Sequence, residues 1–141
     1  MNGNKQLDTT RAKLISLLGK FMAGVEWIVE AHGCSPDGLR DLNALRALFL
    51  ALIGDLDLHA VGEIVWHQFP VTGGITGLAL LSESHLTCHT FPEHGSLCLN
   101  LFSCRPRPRW DFEGRLREHL KAEDVTVRSL TRAYAAAGIG A

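Results

Sequence analysis

At 141 residues, 46% of them hydrophobic and 21% charged, the chain fits one domain with a respectable core and excludes general disorder. Its net charge of −1 argues against a polyanion-binding surface. The longest apolar run, ALFLALIG at 47–54, is far short of the roughly 20 residues of a membrane span, and the polar opening MNGNKQLDTTRAK lacks the apolar stretch of a secretory signal. The expectation is therefore a cytoplasmic protein whose Cys34, Cys88, Cys98 and Cys104 stay reduced.

In chain order, Asp8 and Thr9 can cap a first helix with Leu14, Leu17, Leu18, Phe21 and Met22 on one side, and Gly24 is its expected stop. GVEWIVEAHGC then reads as a strand with Val25, Trp27, Val29 and Ala31 on one face and Glu26, Ile28, Glu30 and His32 on the other. Ser35-Pro36 opens a helix in which Leu39, Leu42, Leu45, Leu48, Phe49 and Leu52 form one apolar stripe. HAVGEIVWHQF at 59–69 reads as a strand, and PVTGG turns it into the antiparallel ITGLALLSES. HLTCHT stays extended until Pro92 and Gly95 break it, and SLCLNLFSC alternates as a further strand ending at Cys104. RPRPRW is a connector. Asp111 caps a last helix that points Phe112, Leu116 and Leu120 inward and a Glu113–Arg117 pair outward, before the short strand VTVRSL and an alanine-glycine tail. Strands joined by hairpin-length loops, with helices between groups of them, predict an α+β two-layer sandwich: an antiparallel sheet with helices on one face.

The segment SESHLTCHTFPEHG at 82–95 concentrates serine, acid, histidine and cysteine in an otherwise leucine-rich chain. Three readings compete for residues 82–104. His85, Cys88, His89, His94 and Cys104 offer metal ligands, but no Cys-x-x-Cys pair supports a zinc site. Packed, hydrogen-bonded side chains of a half-buried strand are the commoner fate, and they are the preferred reading for His67, His119, Cys34 and Cys98. A serine, a histidine and a thiol converging from adjacent strands would make a nucleophile site. Composition alone does not choose among them.

ESHLTCHTFPEHG at 83–95 resembles the signature of the small prokaryotic S-adenosylmethionine decarboxylase proenzymes, with Ser84, His89, Thr90, Pro92, Glu93 and Gly95 where the pattern asks for them. GGITG at 73–77, LFSC at 101–104 and VEAHGC at 29–34 resemble further family segments, and the likeness runs over about 24–130, leaving 1–23 as an extra N-terminal helix of a single domain. The resemblance implies self-cleavage between Glu83 and Ser84, giving a β chain of 1–83 and an α chain of 84–141 whose first residue becomes a pyruvoyl cofactor. It implies His89 as the processing base, with Ser84 in a strained turn, and Thr76 holding the carbonyl or ester oxygen. Cys104 is the implied proton donor in decarboxylation, Glu30 an implied substrate contact, and Phe69 and Phe91 an implied sandwich for an adenine ring, with Glu93 beside them in the substrate set. No metal is needed. The product would serve spermidine biosynthesis, and the partners would be the small-molecule substrate and a second copy of the chain, in a homodimer or larger assembly without nucleic acid or membrane.

Some positions depart from the family pattern. Phe91 stands where many relatives carry tryptophan, Glu26 where many carry histidine, Asn100 where aspartate is usual, Thr76 where serine is frequent, and CRPRPRW where Cys-Gly is usual. A pyruvoyl decarboxylase of arginine or ornithine is one alternative, since pocket contacts set the substrate. An unprocessed, catalytically idle relative serving as a partner subunit is the other.

Overall fold

Alternation in the first strand sets the architecture. The computed structural model describes residues 23–135; the expected first helix at 8–22 and the alanine-glycine tail lie outside them. In chain order these residues form β1 (Ala23–His32), α1 (Pro36–Leu39), α2 (Leu42–Asp55), β2 (Val65–Gln68), β3 (Ile75–Leu81), β4 (Ser84–Phe91), a 3₁₀ turn (Pro92–His94), β5 (Ser96–Ser103), α3 (Phe112–Leu120) and β6 (Asp124–Ala133). The strands make one antiparallel sheet in the order β2-β3-β4-β5-β1-β6. Val29 and Ala31 of β1 are buried as the alternation requires, while Glu30 and His32 point the other way. The two-layer α+β sandwich read from the sequence is the observed fold.

The helices cover one face. Leu45, Leu48, Phe49 and Leu52 of α2 and Phe112, Leu116 and Leu120 of α3 are all fully buried against Leu86, Leu97, Leu101 and Ile75 of the sheet. Each such side chain contributes about 1.5–3 kcal/mol of burial, so this layer holds the fold together. Among the described residues no helix lies over the opposite face, and Leu78, Leu80 and Leu130 are about half exposed there. Among the described residues no helix is long and apolar enough to cross a membrane.

Several boundaries differ from the sequence reading, each for a local reason. The helix expected from Ser35 to Leu52 is two helices, because the Asp41 carboxylate accepts the Asn43 amide and starts a second helix with its own cap. The strand expected over 59–69 shrinks to four residues: Ala60 makes one isolated bridge to Leu81, and Gly62, at φ +74°, turns the chain away before it returns at Val65. Gly24, the expected stop of a first helix that lies outside the described residues, sits within β1, where a β-carbon would lie 2.6 Å from the Ser103 carbonyl oxygen. The short last strand is ten residues long and pairs with the whole of β1. Glu113 pairs with Arg109 rather than Arg117, four residues back along the chain where the connector enters the helix.

Candidate active site

β3 and β4 are joined by a two-residue turn, Ser82 and Glu83, with Leu81 paired to Ser84. Neither turn residue has a positive φ, so this is not one of the primed turns that two-residue hairpins favour; the strain expected around Ser84 is not stored in a left-handed residue. The turn is held from outside instead. The Ser82 amide donates to the His59 carbonyl at 2.9 Å, and the Cys104 amide donates to the Glu83 carbonyl at 2.8 Å. The Glu83 carboxylate lies 3.1 Å from an Arg105 guanidinium nitrogen and 3.9 Å from one of Arg107.

Ser84 begins β4 on the helix-covered side, opposite Ser103. Its side chain is buried, and its Oγ has no hydrogen-bond partner among the described residues. A buried hydroxyl without a partner costs roughly 1–3 kcal/mol, so a fold that keeps one has a use for it or forfeits stability. The neighbouring hydroxyl does not compete, because Ser103 Oγ donates to the Arg105 carbonyl. The Ser84 hydroxyl thus has no hydrogen bond to break before it moves, and it adjoins a carbonyl that accepts from the Cys104 amide. Cys104 itself follows β5 as an exposed free thiol beside that carbonyl.

A second group lies further along the sheet on the open face. The register places His67, Thr76, His89, Cys98 and Glu30 in one row across five strands. Within it Thr76 Oγ1 and His89 Nδ1 are hydrogen-bonded at 2.9 Å, which fixes the ring and leaves Nε2 as the outward nitrogen. Cys98, expected to be packed, is exposed in this row between His89 and Glu30; partial burial, and then the Glu30 charge, raise its thiol pKa. Cys88 is buried on the helix side, where burial pushes its thiol up to about 12. It is therefore on the face opposite His85 and His89, and among the described residues no three His, Cys, Asp or Glu side chains converge as metal ligands would.

The two groups do not meet within one chain. Ser84 and His89 are five residues apart on a regular strand, so they point to opposite faces and are separated by roughly 16 Å. The base assigned by resemblance is therefore near Thr76 and remote from the serine. The remaining candidates sit on the open face. Phe69 and Phe91 are both partly exposed and flank Gly74, the Phe69 amide donating to the Gly74 carbonyl at 2.8 Å. Two strand spacings separate them, about 10 Å, room for a flat ring between two aromatic faces. His67 meets Phe69 edge-on with ring centroids 4.9 Å apart. Glu93 is exposed in the 3₁₀ turn that follows Phe91.

Glu30 is paired with Arg128 through Oε1, while its Oε2 is buried with no partner among the described residues. Glu26 is paired with Arg132 and accepts from Asn100 Nδ2 at 2.9 Å; the Asn100 bond, then Arg132, hold its carboxyl below the ordinary value. Glu26 and Asn100, noted separately in the sequence, are thus one interaction. The arginines on β6 and the Arg105–Arg107 pair carry no signal in the sequence, since only the strand order and the end of β5 bring them to these carboxylates.

A six-stranded antiparallel sheet backed by helices on one face, with a buried serine opening β4 next to a carbonyl held by the Cys104 amide, defines an α+β two-layer sandwich. Residues 25–133 match the model of the S-adenosylmethionine decarboxylase family. The chain is 40% identical over 109 residues to S-adenosylmethionine decarboxylase proenzyme 2 of Halalkalibacterium halodurans, covering 74% of this chain and 82% of that one. It is 34% identical over 115 residues to the S-adenosylmethionine decarboxylase proenzyme of Pyrococcus furiosus, covering 77% and 78%. The crystal structure of the adenosylmethionine decarboxylase from Aquifex aeolicus superposes with a TM-score of 0.66 at 20% identity, over 82% of this chain and 95% of that chain, a likeness of fold. This chain belongs to the S-adenosylmethionine decarboxylase family.

Proposed function

We propose that the chain cleaves itself between Glu83 and Ser84 and, once matured, decarboxylates S-adenosylmethionine. The observation that carries this reading is the Glu83 carbonyl, bonded to the Cys104 amide, next to a Ser84 hydroxyl that is buried and unpartnered. Ser84 Oγ attacks that carbonyl, the Glu83–Ser84 C–N bond breaks, and an ester forms as the nitrogen takes up the proton. A base then removes the proton on Cα of residue 84, the ester C–O bond breaks toward the Glu83 carboxylate, and water releases ammonia from the imine that follows. The Cys104 N–H is placed to stabilise oxygen charge in the first step.

The base comes from a second copy in this reading. His89 and Thr76 stand on the open face, remote from their own Ser84, and the same face exposes Leu78, Leu80 and Leu130. Two copies meeting on these faces would bury the apolar side chains and bring one copy's Thr76–His89 pair toward the other's turn. Cys104, exposed at the rim, then lies between the copies as the acid that returns a proton to the substrate carbon. That role needs a free thiol, which fits the reducing cytoplasm.

A pyruvoyl group at residue 84 supplies the electron sink for loss of carbon dioxide from an amine acid. The site is suited to form it, because its precursor oxygen is free and the adjacent carbonyl is held. Phe69 and Phe91 would flank the adenine ring, and the unpartnered Oε2 of Glu30 would accept a hydroxyl of the substrate. The carboxylates that a guanidinium or ammonium side chain would seek, Glu26 and Glu30, are already matched by Arg132 and Arg128, which favours the adenosyl substrate over arginine or ornithine. Mass spectrometry of the purified protein tests the first half: two chains ending at 83 and starting at 84 are expected, and a single intact 141-residue chain refutes it. Carbon dioxide release from S-adenosylmethionine, compared with arginine and ornithine, tests the second half.

A further inference from the structure

We propose that Arg105 and Arg107 form a receptor for the carboxylate released at Glu83, stabilising it as a leaving group and holding it afterwards as the new chain end. The inference rests on the self-cleavage reading above.

The connector after β5 grips Glu83 at two places. Its first residue, Cys104, bonds the Glu83 main-chain carbonyl, and Arg105 and Arg107 reach the two oxygens of the Glu83 side chain. Pro106 and Pro108 fix φ near −65° and deny the segment a helical course, so residues two apart present their side chains on the same side. The segment is anchored as well. Ser103 Oγ donates to the Arg105 carbonyl at 2.8 Å, and Arg107 Nη1 donates to the Leu56 carbonyl at 3.1 Å, where the end of α2 offers an unsatisfied acceptor.

Charge and hydrogen-bond counts both fit the cleaved chain better than the intact one. Before cleavage two guanidinium groups face one carboxylate, an excess of one positive charge. Breaking the ester leaves residue 83 with a second carboxylate, the α-carboxylate, and the charges balance. Arg107 is three-quarters buried, and its Nε is a buried donor with no acceptor among the described residues of the uncleaved chain. A buried guanidinium donor left unsatisfied is costly, and cleavage creates new anionic acceptors on the residue that this guanidinium already touches. In the elimination, Cα of residue 84 loses its proton, the C–O bond breaks, and the electron pair goes onto the Glu83 carboxylate. Two positive groups beside that oxygen stabilise the charge as it develops.

The test follows the full-length chain made by cell-free translation, as wild type and as R105Q/R107Q, with hydroxylamine as the probe. Hydroxylamine cuts an ester at 83–84 and leaves an α chain that begins with serine, whereas the ketone of the matured α chain condenses with the same reagent, with loss of water, and carries the pyruvoyl oxime mass. The wild type should pass to the pyruvoyl form, and the double variant should accumulate ester, with elimination slowed on the order of tenfold, ~1.4 kcal/mol. R105K/R107K, which keeps both charges, should recover most of that rate. Equal maturation in wild type and double variant overturns the proposal, and so does a folded variant halted at the intact peptide bond, since the arginines would then act before the carboxylate is released. If the double variant does not fold, R105Q alone decides, because the Arg105 side chain is 71% exposed and its loss spares the core: ester must accumulate measurably over wild type. An intact wild-type chain would instead refute self-cleavage itself, a separate outcome.

Discussion

Replacing Ser84 with alanine should stabilise the uncleaved protein while abolishing maturation. The hydroxyl is buried, only 7% of the residue being accessible, and its oxygen has no donor or acceptor to bond. Such a group costs roughly 1–3 kcal/mol; alanine removes that cost and forfeits a few tenths of a kcal/mol of dispersion contact. The net gain is on the order of 1–2 kcal/mol, or ~3–8 °C in Tm for a domain of this size. A maturing wild type is no reference for an uncleaved variant, so the comparison is His89→Ala against Ser84→Ala/His89→Ala, both of which remain single chains. Differential scanning calorimetry at matched protein concentration gives the difference, matched because association raises Tm by mass action. An unchanged or lower Tm in the double variant would mean that the hydroxyl is satisfied, and with it would go the picture of a serine free to attack.

Thr76→Val removes the hydroxyl that fixes His89 Nδ1 at 2.9 Å; maturation should slow on the order of tenfold, and Thr76→Ser should stay near wild type, both read from the time course of the two fragments. Asn100→Ala should lower stability at neutral pH and make little difference in acid. The Asn100 hydrogen bond, followed by Arg132, depresses the Glu26 pKa in the folded chain, so the stability it contributes is present above the unfolded value of about 4.5 and is lost as pH falls through the lower folded value. Urea denaturation as a function of pH should therefore show wild type and variant differing most at neutral pH and converging in acid; a constant difference across the range would refute the linkage.

Alternation and motif spacing were enough to read much of this protein. The faces of β1, the caps at Ser35 and Asp111, the break at Pro92–Gly95 and the inward residues of α3 are local consequences of side-chain period and capping chemistry, so they survive into the fold. The 83–95 segment likewise named its family from its own residues. Helix division at Arg40–Asp41 and the loss of strand around Gly62 were not legible in that way, since a capping carboxylate and a left-handed glycine compete with a periodicity that continues past them.

What sequence could not decide is which of the chemically equipped residues meet. Ser84, His89, Cys104 and Thr76 were all identified by their motif, yet their positions on the sheet follow from register: an odd interval on β4 sends the serine and the histidine to opposite faces, while the pairing of β3 with β4 sets Thr76 against His89. The carboxylate partners show the same dependence, with Arg128 and Arg132 reaching β1 from about a hundred residues away and Arg105 and Arg107 reaching Glu83 from beyond the end of β5. Local sequence encodes periods and caps because those are short-range properties of the backbone. Long-range juxtaposition is settled only when strands pair, and in this protein that pairing decides which groups surround the Glu83–Ser84 bond.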